Sequence, residues 1–129
     1  MNKIVISTTN APAAVGSYSQ ATKFGQLIFV SGQLPIDPQN GEIVKGGIET
    51  QTRQALKNLN EVLLASGASL TTVLKTTIFI NNMNDFMKIN EVYSEFFNTD
   101  PPARSCVEVA NLPKEALIEI EAIANGSLN

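Results

Sequence analysis

Between residues 48 and 66 apolar side chains recur every three or four positions: Ile48, Ala55, Leu56, Leu59, Val62 and Leu63, with Thr52 in the same stripe. That period predicts an amphipathic helix, preceded by Gly47 and ended by Gly67 as its C-terminal cap. A second stripe, Phe86, Ile89, Tyr93 and Phe96 or Phe97, predicts a helix that Asn84 or Asp85 caps and that runs to about residue 97. Elsewhere the period is two. Over 73–80, Thr76, Ile78 and Ile80 alternate with Lys75, Thr77 and Phe79, the mark of a strand. Residues 3–7 and 27–31 are short β-prone runs, and 17–22 reads as extended. A loop covers 8–16, Gly32-Gln33-Leu34-Pro35 breaks or bends the chain, and 37–41 is a turn. The order is β-β-α-β-α-β-β with extra short strands near the start. Two amphipathic helices need one apolar sheet face to pack on. The expected fold is therefore α+β, a single domain over 1–129, with its other sheet face partly polar and suited to packing across a symmetric oligomer.

The last third carries the chemistry. Pro101-Pro102 stops the chain directly before the alternating run from Arg104 to Val109, and Leu117-Ile118-Glu119-Ile120-Glu121-Ala122 alternates again after a short polar connection over 110–115. Arg104, Cys106 and Glu108 share one face of the first run; Ile118, Ile120 and Ala122 share a face of the second, opposite Glu119 and Glu121. If the two runs pair as a hairpin with their apolar faces together, Arg104, Cys106 and Glu119 fall on one polar surface. A guanidinium grips a carboxylate in a bidentate fork and a neighbouring carboxylate moves protons, so these residues outline a site for a small organic acid. The same alternation also fits a solvated sheet face laced by cross-strand ion pairs.

Composition narrows the choices. The 129 residues suffice for one domain, and 43% hydrophobic against 16% charged is a globular balance. So few charges leave surface to be covered by other copies. A net charge of −3, a pI of about 4.9 and nine scattered Lys and Arg disfavour nucleic acid. There is neither an apolar run that would span a bilayer nor a signal-peptide pattern, so no membrane partner and a cytoplasmic location are expected. The chain has no histidine and a single cysteine, Cys106. This excludes a Ser-His-Asp or Cys-His mechanism within the chain, an internal disulfide and a Cys-rich metal site. No metal and no cofactor are expected, and proton traffic falls to Glu, Asp, Tyr, Lys or water.

At these residues the chain resembles the RidA family (reactive intermediate deaminase A, also called YjgF). The stretches that carry the resemblance are Asn10-Ala11-Pro12-Ala13-Ala14, Gly16-Ser17-Tyr18-Ser19-Gln20, Val30-Ser31-Gly32-Gln33, Lys75-Thr76-Thr77-Ile78-Phe79, Asn90, Pro102-Ala103-Arg104-Ser105-Cys106-Val107-Glu108-Val109, Leu112-Pro113-Lys114 and Ile118-Glu119-Ile120-Glu121-Ala122-Ile123-Ala124. They span nearly the whole length. The resemblance implies a chorismate-mutase-like α+β fold, with a mixed sheet of about six strands and two helices on one face, assembling as a homotrimer with sites between subunits. It implies a hydrolase of amino-acid metabolism that deaminates 2-imino acids and enamines, 2-aminoacrylate with 2-iminopropanoate and 2-iminobutanoate, to 2-keto acids and ammonia. Some relatives carry other roles, including purine-linked regulation and ribonuclease activity.

By the same resemblance Arg104 binds the substrate carboxylate and Glu119 positions and activates water. Tyr18, Ser31, Gly32 and Asn90 line the cleft: Tyr18 as a cap and hydrogen-bond donor, Ser31-Gly32 through backbone groups that a glycine leaves accessible, Asn90 by fixing a water or a loop. Cys106 belongs to the substrate-binding wall, since no histidine is present to make it a nucleophile. Against each role stands a structural one: an ion pair of Arg104 with Glu108 or Glu121, a solvated Glu119, packing for the rest. Phe86 and Tyr93 are read as core. The competing function is a non-catalytic regulatory protein that senses a carboxylate metabolite with the same Arg104 cleft.

Overall fold

The computed structural model describes residues 2–127. The longest helix, α1 (Ile48–Ala65), forms where the stripe demands it: Leu56, Leu59, Val62 and Leu63 are fully buried. Each such side chain contributes about 1.5–3 kcal/mol relative to an exposed one. Gly67 ends the helix at φ +83°. Its N–H donates to the Leu64 carbonyl at 3.2 Å, and that of Ala68 donates to Leu63 at 2.9 Å, which closes the last turn as a left-handed glycine cap.

Six strands form one mixed sheet: β1 (Ile4–Ile6), β2 (Ala21–Phe24), β3 (Leu27–Gln33), β4 (Val73–Ile80), β5 (Ala103–Glu108) and β6 (Ile118–Asn125), in the order β1-β2-β3-β6-β4-β5. Among the described residues only β4 and β5 run parallel, joined by α2 (Phe86–Phe96). The crossover through α1 leaves a gap one strand wide between β3 and β4, and β6 fills it. Its Ile118, Ile120, Ala122 and Ala124 lie under the helices beside Ile78, Ile80, Ile28 and Val30. The expected mixed sheet of about six strands with helices on one face is what forms.

The final hairpin is not. β5 and β6 both pair with β4, which lies between them. Glu119 is opposite Phe79, whereas Arg104 and Cys106 are opposite Thr76 and Ile78. Positions 76 and 79 differ by an odd number, so Arg104 and Cys106 lie on the helix side of the sheet and Glu119 on the open side. The expectation that the three share one polar surface of the chain is overturned. β6 has apolar residues enough to be central, while β5 carries polar side chains towards the helices and tolerates only an edge.

Smaller differences have local causes. The second strand begins at Ala21 rather than 17, because the buried Gln20 side chain binds Thr8 N, Thr8 O and Pro12 O at 2.7–3.0 Å and holds the preceding loop. Lys23 then enters the strand fully buried, its ammonium donating to the carbonyls of Ser66 at 2.8 Å and Ser127 at 2.5 Å. β3 continues through Gly32 to Gln33, and the anticipated bend appears as a register shift against β6 between Val30 and Gln33. Asp85 stands at the N-cap of α2 as expected but makes no side-chain hydrogen bond there; the side-chain cap lies one turn earlier, where Asn82 Oδ1 accepts from Asn84 N at 2.9 Å and opens the 3-10 turn Met83–Asp85 that leads into α2.

Candidate active site

The expected site residues gather into two clusters on opposite sides of the sheet. On the open side, Glu119 lies in a cleft of about 580 Å³ with Tyr18, Ser31, Gly32 and Glu121. The Glu119 carboxylate packs against the backbone of Gly32. A Cβ there would stand 2.6 Å from Oε2, so glycine makes room for the acid at this point. Ser31 Oγ donates to the Ser19 carbonyl at 2.6 Å and ties the Tyr18 segment to β3. Tyr18 stays half exposed, its hydroxyl accepting from Val15 N at 3.4 Å. Burial pushes the Glu119 carboxyl above the ordinary carboxylate range, and the neighbouring Glu121 adds to the shift. A half-buried carboxyl with a raised pKa is a better base when ionised and a ready acid when not.

Val15, Leu34 and Ile36 form an apolar wall of this cleft that sequence reading did not assign. Asn58 of α1 donates to the carbonyls of Leu34 and Ile36 at 2.9 and 2.8 Å, and Gln54 holds Asn58 in turn at 2.9 Å. Pro113 and Lys114 close the far side. Lys114 and Glu115 both adopt left-handed backbone, φ 57° and 56°, a conformation that disfavours each by about 1–2 kcal/mol. The short turn Pro113–Glu115 is therefore kinked, its backbone leaving helical geometry at Lys114.

On the helix side, the Arg104 guanidinium donates from Nη1 to Asn90 Oδ1 at 2.9 Å. Its Cζ lies 4.8 Å from the Tyr93 ring centroid and 5.4 Å from that of Phe86. Among the described residues the one ion pair is Arg53–Glu95 at 2.7 Å; neither Glu108 nor Glu121 pairs with Arg104. Glu108 instead accepts from Met83 N at 2.7 Å. The guanidinium is thus held by a neutral amide and two aromatic faces, with donors to spare for an anion. It opens on a hollow of about 350 Å³ with Asn90, Ser94 and Pro102. Cys106 lies on the same face, half-buried against the core. Burial pushes its thiol up, partly offset by the Arg104 charge.

Phe86 and Tyr93, read from sequence as core, are therefore part of the Arg104 cluster, although Tyr93 is also buried. The signal was present: Phe86, Asn90 and Tyr93 stand at i, i+4 and i+7, which places a lone amide among aromatics on one helix face. Among the described residues no group of three His, Cys, Asp or Glu is arranged to hold a metal, and no helix is long and apolar enough to cross a membrane.

Comparison with known proteins finds similarity over nearly the whole chain. A RutC family protein of Pyrococcus horikoshii is 57% identical over 122 residues, 95% of this chain and 97% of that one. A rat protein named 2-iminobutanoate/2-iminopropanoate deaminase is 51% identical over 120 residues, 93% of this chain and 88% of its own. A crystal structure of a member of the conserved Rid protein family from Yersinia pestis superposes with a TM-score of 0.93 at 51% identity, covering 96% of this chain and 99% of that one. The family model described as Endoribonuclease L-PSP matches residues 8–125. With half the sequence shared over nearly full length and the same fold, the chain belongs to the Endoribonuclease L-PSP family, the YjgF/RidA proteins.

Proposed function

We propose that this protein hydrolyses 2-imino acids and their enamine tautomers, 2-iminopropanoate and 2-iminobutanoate among them, to 2-keto acids and ammonia. The observation that carries the reading is Arg104: a half-buried guanidinium with no carboxylate partner among the described residues, oriented by Asn90. Such a group is a receptor for a planar carboxylate. The name of the rat relative supports the substrate class. Hydrolysis adds water across the C=N bond; the carbinolamine then collapses to a ketone and ammonia. In each of these two steps one proton leaves oxygen and one reaches nitrogen, so both hydrogens of the water end on ammonia. Glu119, with its raised pKa, suits both transfers.

In one chain Arg104 and Glu119 face opposite sides of the sheet, so a single copy does not complete this site. The reading therefore includes a homotrimer in which the Arg104 cluster of one copy meets the Glu119 cleft of the next. Val5, Phe24, Leu27, Phe29 and Val107 on the open sheet face are each at least 41% exposed, a surface that suits such packing. Tyr18, Ser31 and Gly32 then come with Glu119, and Asn90 and Cys106 with Arg104.

A coupled assay releasing 2-keto acid from freshly generated 2-iminobutanoate tests this, with the protein dialysed against a chelator. Wild type should accelerate release. Arg104→Ala should abolish it and Arg104→Lys should recover little, whereas Glu119→Gln should lower turnover by about 10²-fold or more while keeping 2-oxobutanoate affinity. Binding of 2-oxobutanoate by a wild type that releases no keto acid would replace the enzyme with a carboxylate sensor.

A further inference from the structure

Tyr93 is an odd core residue. Its ring is 4% exposed and stacks on Phe97 at 4.6 Å, tilted by 38°. Its hydroxyl meets Thr76 Oγ1 at 2.7 Å, and Thr76 is fully buried. Thr76 is also the residue directly opposite Arg104 across the β4–β5 pair. The side chain that borders Arg104 on the sheet therefore tethers the ring over which the guanidinium lies, 4.8 Å from its centroid. A single hydrogen bond to Asn90 leaves the guanidinium plane free to turn about that contact. The Tyr93 and Phe86 faces confine it, and the tether fixes the nearer, less exposed of the two. Burial keeps the Tyr93 hydroxyl neutral by pushing its pKa up, so it stays a hydrogen-bonding group beside a cation.

We propose that Tyr93, tethered by Thr76, is a positioning residue that sets the plane in which Arg104 presents its fork to the substrate carboxylate. This rests on the carboxylate-binding reading of Arg104. The core alone would call for no hydroxyl here, since a phenylalanine would fill nearly the same volume with no buried polar group to satisfy; what the core does not account for is the place of this ring under the guanidinium, held by the residue opposite Arg104.

Three variants separate the roles. Tyr93→Phe keeps the ring and removes the tether. Thr76→Val removes it from the other side with little change in shape. Tyr93→Leu removes the aromatic face. The measurements are KM and kcat with 2-iminobutanoate, the Kd of 2-oxobutanoate by calorimetry, and Tm. Tyr93→Phe and Thr76→Val should each raise KM and Kd by about 3- to 10-fold, the scale of one hydrogen bond, with kcat moving less. Their double variant should be no worse than either alone, and in an Arg104→Lys background Thr76→Val should add nothing. Tyr93→Leu should weaken binding by about 10-fold or more, the scale of a desolvated cation–π contact. If both tether variants lower Tm but leave KM and Kd at wild-type values while Arg104→Lys loses binding, the positioning role is overturned and the Arg104 reading stands. If wild type neither turns over the imine nor binds the keto acid, both are overturned.

Discussion

A carboxyl and a glycine settle much of the chemistry at the scale of single residues. Glu119 can lie against β3 only because residue 32 has no side chain, and that position takes the acid half out of water. Desolvation and the Glu121 charge raise its pKa together. A base must be ionised to accept a proton, so kcat/KM should rise with pH through the folded pKa of Glu119, above the ordinary carboxylate value. Replacing Glu121 with Gln removes the second cause and should move that acidic limb to lower pH. A pH–rate profile of Glu121→Gln checks it; an unmoved limb would assign the limb to another group.

Among the elements, α1 contributes more than a hydrophobic stripe. Asn58, fully buried, leaves the helix to hold two carbonyls of the 34–36 loop, and so fixes the wall of the Glu119 cleft. Asn58→Ala would leave both without this partner. The expected loss is about 1–3 kcal/mol of stability, seen as a lower denaturation midpoint with an unchanged m-value. A midpoint within error of wild type would show that the loop holds itself. The Arg53–Glu95 bridge between the helices is well exposed on both sides and stabilises little by comparison.

At the scale of the whole molecule, the separation of Arg104 from Glu119 makes a specific demand. If each site takes its arginine cluster from one copy and its acid from the next, inactive Arg104→Ala and inactive Glu119→Gln chains should complement each other. Unfolded together and refolded at equal ratio, randomly mixed trimers should regain about one quarter of wild-type activity, because each site draws its two halves independently. Mixing the folded variants without exchange of chains should restore none. No recovery after co-refolding would place both residues in a site made by one copy. Sedimentation at micromolar concentration that shows a 13.9 kDa monomer would remove the assembly altogether.

Much of this was determined along the chain. The 3.6-residue stripes located both helices, Gly67 marked the end of α1, and alternation placed Arg104 with Cys106 and Ile118 with Ile120 on common faces, because these patterns depend only on local backbone geometry. Missing histidines and a lone cysteine narrowed the chemistry before any fold was known. Pairing was not legible in this way. Whether β5 neighbours β6 or is parted from it by β4 is decided by which strands carry enough apolar side chains for a central place under the helices, and one intervening strand, with its register, sends Glu119 to the side opposite Arg104. The contacts that arm Arg104 are non-local for the same reason: Asn90, Tyr93 and Thr76 reach it only after the β4–α2–β5 crossover has closed. Sequence determined which groups exist and which of their neighbours share a face; tertiary structure alone decided which face meets which, since that choice is made by burial across the whole sheet.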